Sequence, residues 1–272
     1  MKIDDLRSIG RELLAVVPRY RFAADVRTGL RTGAAGDTTF PLDEAAEKII
    51  ISRIKSLGEP VSIVSEEFGI EDFGIDNGDS PRLRIIIDPI DGSKNAINGL
   101  PIFCTSIAVA SGETLDDVFM GYIVNLISAD EFWAVKGEGV CCFNGNKIHT
   151  SQDGKIDMVL FESQRPAEEL PRLNRLFSHA ARTRCLGATA LNLAHVAAGS
   201  VSLFVTMSKS RSFDFAAGYL MVKEAGGVCT DAEGHDIGHI HTGLGKTNTI
   251  LASANTRVHD KALNAIINPM RP

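Results

Sequence analysis

Two aspartates, Asp88 and Asp91, followed at once by Gly92 and Ser93, make residues 84–98 (RIIIDPIDGSKNAIN) the part of the chain with the clearest chemistry. Carboxylates are the hard oxygen donors that magnesium and calcium take, and two this close can bridge a pair of ions. Gly92 and Ser93 are small enough to bring backbone N–H groups up to an anion. The β-branched run Ile85-Ile86-Ile87 predicts a buried strand that delivers these groups. Pro89 has no N–H and fixes its own φ, which predicts that the strand stops at Asp88-Pro89. A strand ending in two acids and a glycine–hydroxyl turn suits a divalent metal held beside a phosphate. The same residues also read as a turn capped by its acids, because Asp, Pro and Gly are common turn formers.

The company the segment keeps favours the metal. It resembles the DP(I/L)DG(S/T) signature of the inositol monophosphatase and fructose-1,6-bisphosphatase superfamily of metal-dependent, lithium-sensitive phosphatases. Further pieces follow in the order of that superfamily. They are Asp37 and Asp43 in GDTTFPLD, Ser65-Glu66-Glu67, FNGNKI at 143–148, Gly187-Ala188-Thr189, and FDFAAGYLMVKEAGG from Phe213. The resemblance spans nearly the whole chain, and DGSKNAINGLP looks most like the archaeal-type members with dual activity.

That resemblance implies a set of roles. Glu66, Asp88, Asp91 and Asp214, with the carbonyl of Ile90, match the metal ligands, with Asp88 bridging. Asp91 and Asp214 would hold the ion nearer the leaving group, and Glu66 with Ile90 the one nearer the attacking water. The expected cofactor is Mg2+, in two or three ions, with Mn2+ as a substitute. Ser93 would orient the attacking water with Glu66 as its partner, Asp37 would bind an additional ion or orient water, and Glu67 would be structural. Gly92 and Ser93 N–H groups would receive the phosphate at the start of a helix. Gly187, Ala188 and Thr189 would line substrate hydroxyls, although a strand-to-helix turn explains them as well. Asp214 taken alone also reads as a helix N-cap.

Substrate choice has its own signal. Inositol-selective relatives carry a glutamate seven residues before the second-motif aspartate, and here that position is Met207. Lys209 and Arg211 in the same loop, with Arg165 in the SQR segment, are cations suited to a second phosphate. The expected activity is Mg2+-dependent hydrolysis of fructose 1,6-bisphosphate, inositol 1-phosphate or both. The alternatives are a strict inositol monophosphatase, then a 3′-phosphoadenosine nucleotide phosphatase. From another class comes a catalytically silent, metal-binding regulatory module, against which the complete acid set with Ser93 speaks.

These groups need elements to place them. Leu6, Ile9, Leu13, Val16 and Val17 recur at helical spacing and predict a helix over 4–17. A Gly-, Thr- and Arg-rich loop at 27–37 precedes a helix at 42–57 that stops at Gly58. A strand at 61–64 delivers Glu66 and Glu67, and 71–81 reads as an acidic, exposed excursion. Strands are expected at 105–110, 119–124, 132–135, 158–161, 201–206 and 250–252. Helices are expected at 170–181, 191–198, 214–225 and 261–267. Helices and strands mix without strict alternation, which predicts a layered α+β fold. The resemblance sharpens this to an αβαβα sandwich, a single domain over 1–272 with a metal-motif half to about 150 and a substrate half over 151–272.

Composition sets the outer bounds. Of 272 residues, 44% are hydrophobic and 23% charged, as in an ordinary soluble enzyme. A net charge of −6 argues against a nucleic-acid partner, which would call for a basic face. No apolar run is long enough to span a bilayer, and the charged N-terminal stretch does not read as a signal peptide, so no membrane partner and a cytoplasmic location are expected. The cysteines Cys104, Cys141, Cys142, Cys185 and Cys229 form no C-x-x-C pair, and so suggest neither a disulfide framework nor a zinc site. His235, His239 and His241 read as exposed loop histidines lacking partner ligands, and Trp133 as core. The expected partner is a small phosphorylated substrate, with a homodimer implied by the resemblance alone.

Overall fold

The computed structural model describes residues 1–74, 83–138 and 140–269. The chain begins with α1 (Ile3–Val16), the short hairpin β1 (Arg31–Thr32) and β2 (Thr38–Thr39), α2 (Pro41–Ser56), β3 (Val61–Ser65), β4 (Gly69–Phe73) and β5 (Leu83–Asp91). It continues through α3 (Ser93–Ile97), β6 (Cys104–Ala110), β7 (Val118–Asn125), β8 (Glu131–Val135), β9 (Val140–Phe143) and β10 (Asn146–Ile148). The second half contains β11 (Met158–Glu162), α4 (Pro166–Ser178), β12 (Arg182–Arg184), α5 (Thr189–Ala197) and β13 (Leu203–Arg211). It closes with α6 (Ser212–Glu224), β14 (Val228–Thr230), β15 (Lys246–Ser253) and α7 (Thr256–Ile267).

Two larger sheets organise the chain. The first has the order β10-β9-β8-β7-β6-β5-β3-β4, antiparallel throughout except for the β3/β5 pair. The second runs β12-β11-β13-β15-β14, with β11 parallel to both β12 and β13. Alternation along each strand builds the layers, because successive side chains face opposite sides of a sheet. Ile85 and Ile87 of β5 enter a core shared with Leu6, Ile9 and Leu13 of α1 and Leu42, Ala46, Ile50 and Ile54 of α2. Ile86 faces the other way, into a core with Leu191, Leu193 and Val196 of α5 and Phe215, Ala216 and Val222 of α6. Phe204 of β13 and Ile250 of β15 join that same core from the second sheet. Leu203, Val205 and Leu251 point outward instead, to Leu173 and Leu176 of α4 and Val258 and Ala262 of α7. The layers are therefore α1/α2, sheet, α5/α6, sheet and α4/α7, the αβαβα order expected. No helix among the described residues is long and apolar enough to cross a membrane.

Several expectations are corrected. β5 does not stop at Asp88-Pro89: it pairs with β6 through Asp88↔Ser106 and again at Asp91↔Cys104, with an irregularity between. The missing proline N–H is absorbed as a bulge, while Thr105 Oγ1 donates 2.7 Å to Pro89 O. The excursion expected at 71–81 begins as strand β4, paired antiparallel with β3, and its remainder from 75 lies outside the described residues. The 27–37 loop carries β1, which pairs antiparallel with β2 immediately after it. The α4 helix begins four residues earlier than expected because Pro166 occupies its first turn, where a missing N–H costs nothing. The strand expected to end at 206 runs on to Arg211 through two register shifts against β15. Trp133 is partly buried against the α1/α2 core, with the Arg7 guanidinium 4.4 Å above its ring.

Candidate active site

The site lies where β3, β5, α3, α5 and α6 meet. β5 carries Asp88 and Asp91 to its C-terminal end, the turn after parallel β3 carries Glu66 and Glu67, and the first turn of α6 carries Asp214. Gly92 has φ +94°, and a Cβ there would lie 3.0 Å from both Gly187 O and Ile102 O. Only glycine makes this turn at that closeness, and it opens α3 at Ser93.

Four acids converge without a cationic side chain among their hydrogen-bond partners in the described residues. Asp88 is 2% exposed, and its Oδ1 is buried with no hydrogen bond. Burial, then the charges of Glu66, Asp91, Asp214 and Asp43, hold its carboxyl well above the usual range. Burial and the charge of Asp214 push Asp91 up to about 8, against the N–H groups of Thr189 and Ala190 that donate to it at 3.1 and 2.7 Å. Glu66 is pushed well above its ordinary value by burial and by Asp214, Glu67 and Asp43. Asp214 rises to about 6 through burial, although Arg211 N donates to its Oδ2 at 2.9 Å and Arg211 and Lys246 oppose the shift. Asp214 is thus the third residue of α6, with Arg211 at the N-cap position, rather than the cap itself. Mutual repulsion on this scale, with one carboxylate oxygen left unpaired, is what divalent cations relieve, so the donor set fits magnesium. These are the residues that sequence reasoning named as ligands, and the fold brings them together from three separate segments.

The expected partner of Ser93 is different. Its hydroxyl donates to Asp43 Oδ1 at 2.7 Å and also lies 2.8 Å from Ile90 O, while Glu66 is not among its hydrogen-bond partners. Asp43 Oδ2 accepts Phe40 N at 2.8 Å, so one carboxylate caps α2 and meets the serine. Burial outweighs both bonds and raises Asp43 to about 7. The sequence carries a signal for this role, since Asp43 follows Pro41 at the third position of α2, where a carboxylate reaches back to the N-cap N–H.

Glu67 takes the structural part expected of it. It is buried and accepts the Thr39 hydroxyl, while Arg31 Nη1 donates to its carbonyl at 3.0 Å. Asp37 lies on the β1/β2 turn and is tied by Arg211, whose Nη1 donates to Oδ2 at 2.6 Å and whose Nη2 donates to Ala35 O at 2.7 Å. Arg211 is therefore committed to the loop. Arg165 is also engaged, with Glu168 at 2.8 Å and Glu169 at 3.6 Å. Of the three cations expected at a second phosphate, Lys209 alone is exposed without a hydrogen-bond or ion-pair partner among the described residues. Sequence reasoning missed Lys246, paired across β13/β15 with Arg211 and donating to Gln164 Oε1 at 2.9 Å. Met207 is buried in the outer core and presents no carboxylate.

Gly187, Ala188 and Thr189 form the turn into α5, with Ala188 at the N-cap position. Lys94 stands 4.9 Å above the Phe40 ring, and Lys136 donates to Asp116 O, so neither joins the acids. Asp231, Glu233 and His235 bring ligand atoms within 4.8 Å of one another. Asp231 already spends its oxygens on the N–H groups of Glu233 and His235 and on His235 Nδ1, which makes the trio an exposed turn. His235, 3.0 Å from Asp231, and His241, 3.6 Å from Glu113, are exposed loop histidines as expected. Cys104 and Cys229 are buried, and Cys185 is exposed.

Comparisons with known proteins identify the family and the fold. A family model described as the inositol monophosphatase family matches residues 7–270. The chain is 33% identical over 244 residues to a fructose-1,6-bisphosphatase/inositol-1-monophosphatase of Methanothermobacter thermautotrophicus, covering 87% of this chain and 86% of the relative. It is also 33% identical over 208 residues to Nus factor SuhB of Salmonella typhimurium, covering 74% of each. The crystal structure of an inositol monophosphatase-fructose 1,6 bisphosphatase, the MJ0109 gene product, superposes with a TM-score of 0.82 at 27% identity, covering 97% of this chain and 99% of that one.

Proposed function

This chain belongs to the inositol monophosphatase family, and on that premise we propose that it is a magnesium-dependent phosphomonoesterase acting on fructose 1,6-bisphosphate and inositol 1-phosphate. The observation that carries the reading is the buried quartet Glu66, Asp88, Asp91 and Asp214, with Asp88 Oδ1 unpaired. These four, with the carbonyl of Ile90, would hold two or three Mg2+ ions. Bound there, magnesium would neutralise charge on the phosphate oxygens and acidify the attacking water.

The chain's own groups supply the rest. Ser93 has one hydroxyl proton, and donating it to the Asp43 carboxylate frees the Ile90 carbonyl for another partner. The serine oxygen then offers a lone pair to the attacking water, and the Asp43 carboxylate that accepts the serine proton is the group to which the water's proton can pass through the serine. Gly92 and Ser93 present N–H groups at the start of α3, and Gly187, Ala188 and Thr189 form the neighbouring wall for substrate hydroxyls. Arg211 holds the Asp37 loop against the site. Lys209 and Lys246 offer positive charge for a second phosphate, and the absence of an acid at Met207 fits that preference.

The same reading takes 1–272 as one catalytic domain, because α5 and α6 pack into a core shared by both sheets. It is completed by a homodimeric, cytoplasmic enzyme. A Nus factor among the relatives suggests a different role, but the net charge of −6 gives no support to a nucleic-acid footprint. The test is phosphate release from fructose 1,6-bisphosphate, inositol 1-phosphate, NADP and phosphoadenosine phosphate, with and without Mg2+. Metal-dependent turnover of the first two supports the proposal, and no turnover of any of them overturns it.

A further inference from the structure

Glu162 ends β11 and has no part in the set described above. Its Oε1 accepts two hydrogen bonds, from Gly187 N at 2.6 Å and from Asn192 Nδ2 at 2.9 Å. Gly187 stands just before α5, and Asn192, which is fully buried, stands in its first turn. One carboxylate oxygen therefore grips this turn from both sides. Gly187 has φ +77°, a conformation that needs such support to be unique. Asn95 secures the opposite side: its Nδ2 donates to Leu186 O at 2.7 Å and lies 3.3 Å from Gly187 O. Asn95 belongs to α3, two residues after Ser93, so the turn is clamped between β11 and the segment that carries the metal motif.

The clamped turn has a specific product. The first two N–H groups of α5, from Thr189 and Ala190, donate one to each oxygen of Asp91, at 3.1 and 2.7 Å. A carboxylate held at both oxygens cannot rotate; Oδ1, with Thr189 N alone, keeps a lone pair for another partner, while Cys104 Sγ also lies 3.5 Å from Oδ2. We propose that Glu162 is a positioning residue for Asp91, acting through the first turn of α5 to fix the carboxylate in the orientation that binds metal. The inference rests on the reading of Asp91 as a metal ligand. Glu162 touches neither ion nor substrate in this account, and its effect is on metal affinity rather than on the chemical step.

The experiment is a calorimetric Mg2+ titration of the full chain, paired with kcat at saturating Mg2+. Glu162→Ala should weaken Mg2+ binding by roughly 10–100-fold, the usual cost of losing a group that orients a ligand. Its kcat at saturating Mg2+ should change far less. Glu162→Gln keeps the oxygen that accepts from Gly187 and Asn192, and should recover most of the lost affinity. Asn95→Ala loosens the same turn from the other side and should weaken Mg2+ in the same direction, which decides the matter if Glu162→Ala does not fold. Unchanged Mg2+ affinity in the folded alanine variants overturns the inference. Asp91→Asn separates the two claims: if it also leaves Mg2+ binding intact, the ligand reading itself has failed.

Discussion

The Ser93 hydroxyl donates to Asp43 Oδ1 at 2.7 Å, joining the metal motif to the capping acid of α2 across fifty positions of sequence. Asp43 is 2% exposed and is held in place by Phe40 N, so the pair is oriented before any water arrives. Such a pair acts on the transition state more than on substrate binding.

Ser93→Ala should therefore lower kcat by on the order of 10²-fold with little change in KM, the size of effect expected for a lost general acid–base contact. Asp43→Asn should do the same, because an amide cannot take the proton. Steady-state kinetics on either substrate check this. An effect confined to KM would make Ser93 a substrate-binding group.

The committed contacts of Arg211 change what its removal should do. Lys209→Ala should raise KM for fructose 1,6-bisphosphate about fivefold, equivalent to about 1 kcal/mol for a solvent-screened charge pair, and leave inositol 1-phosphate much less affected. Arg211→Ala should slow both substrates, since it releases Asp37 and the Ala35 carbonyl. Parallel kinetics on the two substrates separate the cases. Equal effects of Lys209→Ala on both would remove the second-phosphate role.

Stability should depend on pH in a way that magnesium reverses. Asp43 and Asp91 are raised to about 7 and about 8 in the metal-free fold, so between their ordinary values and these the folded chain binds more protons than the unfolded one. Their contribution is complete at low pH and is lost as pH rises through 7 and 8. His195 and His259, depressed by burial, act oppositely but only below their ordinary value of 6.5. In EDTA, Tm should fall between pH 6.5 and 8, and the Mg2+-induced rise in Tm should grow over the same interval. Melting curves with and without Mg2+ check both trends, and a Mg2+ effect that shrinks with rising pH would contradict them.

Packing behind the site is tested at Gly121 of β7. A Cβ there would lie 2.9 Å from Ala217 O and 3.1 Å from Ala217 Cα, both backbone atoms of α6. A helix cannot yield as a side chain can, so Gly121→Ala should destabilise by about 1–3 kcal/mol in urea unfolding. It should also weaken Mg2+ binding, because α6 carries Asp214. A neutral substitution would mean that α6 tolerates displacement.

Local signals made part of this legible: the β-branched run at Ile85-Ile86-Ile87 placed β5, and helical spacing placed α1. The αβαβα order and the ligand roles of Glu66, Asp88, Asp91 and Asp214 came from the resemblance of the motifs and their order to one superfamily. What escaped depends on distant partners. Nothing near Pro89 announces that β6 will carry the ladder past it, or that Thr105 will take up its carbonyl. Ser93 finds Asp43, and Arg211 finds Asp37, only once α2 and the β1/β2 hairpin have packed. Lys246 and Glu162 carry no motif of their own in the sequence, and only the second sheet sets them beside Arg211 and Gly187.

Asp88→Asn tests the central claim most directly, because Asp88 is the buried acid with an unpaired oxygen. The measurement is the Mg2+-induced shift in Tm, read beside phosphate release from fructose 1,6-bisphosphate at saturating Mg2+. Removing one of four repelling charges should leave Tm in EDTA equal to or above that of the unaltered chain, while the Mg2+-induced shift and the turnover are both lost. A folded Asp88→Asn protein with the full Mg2+ shift and near-normal turnover would contradict the account.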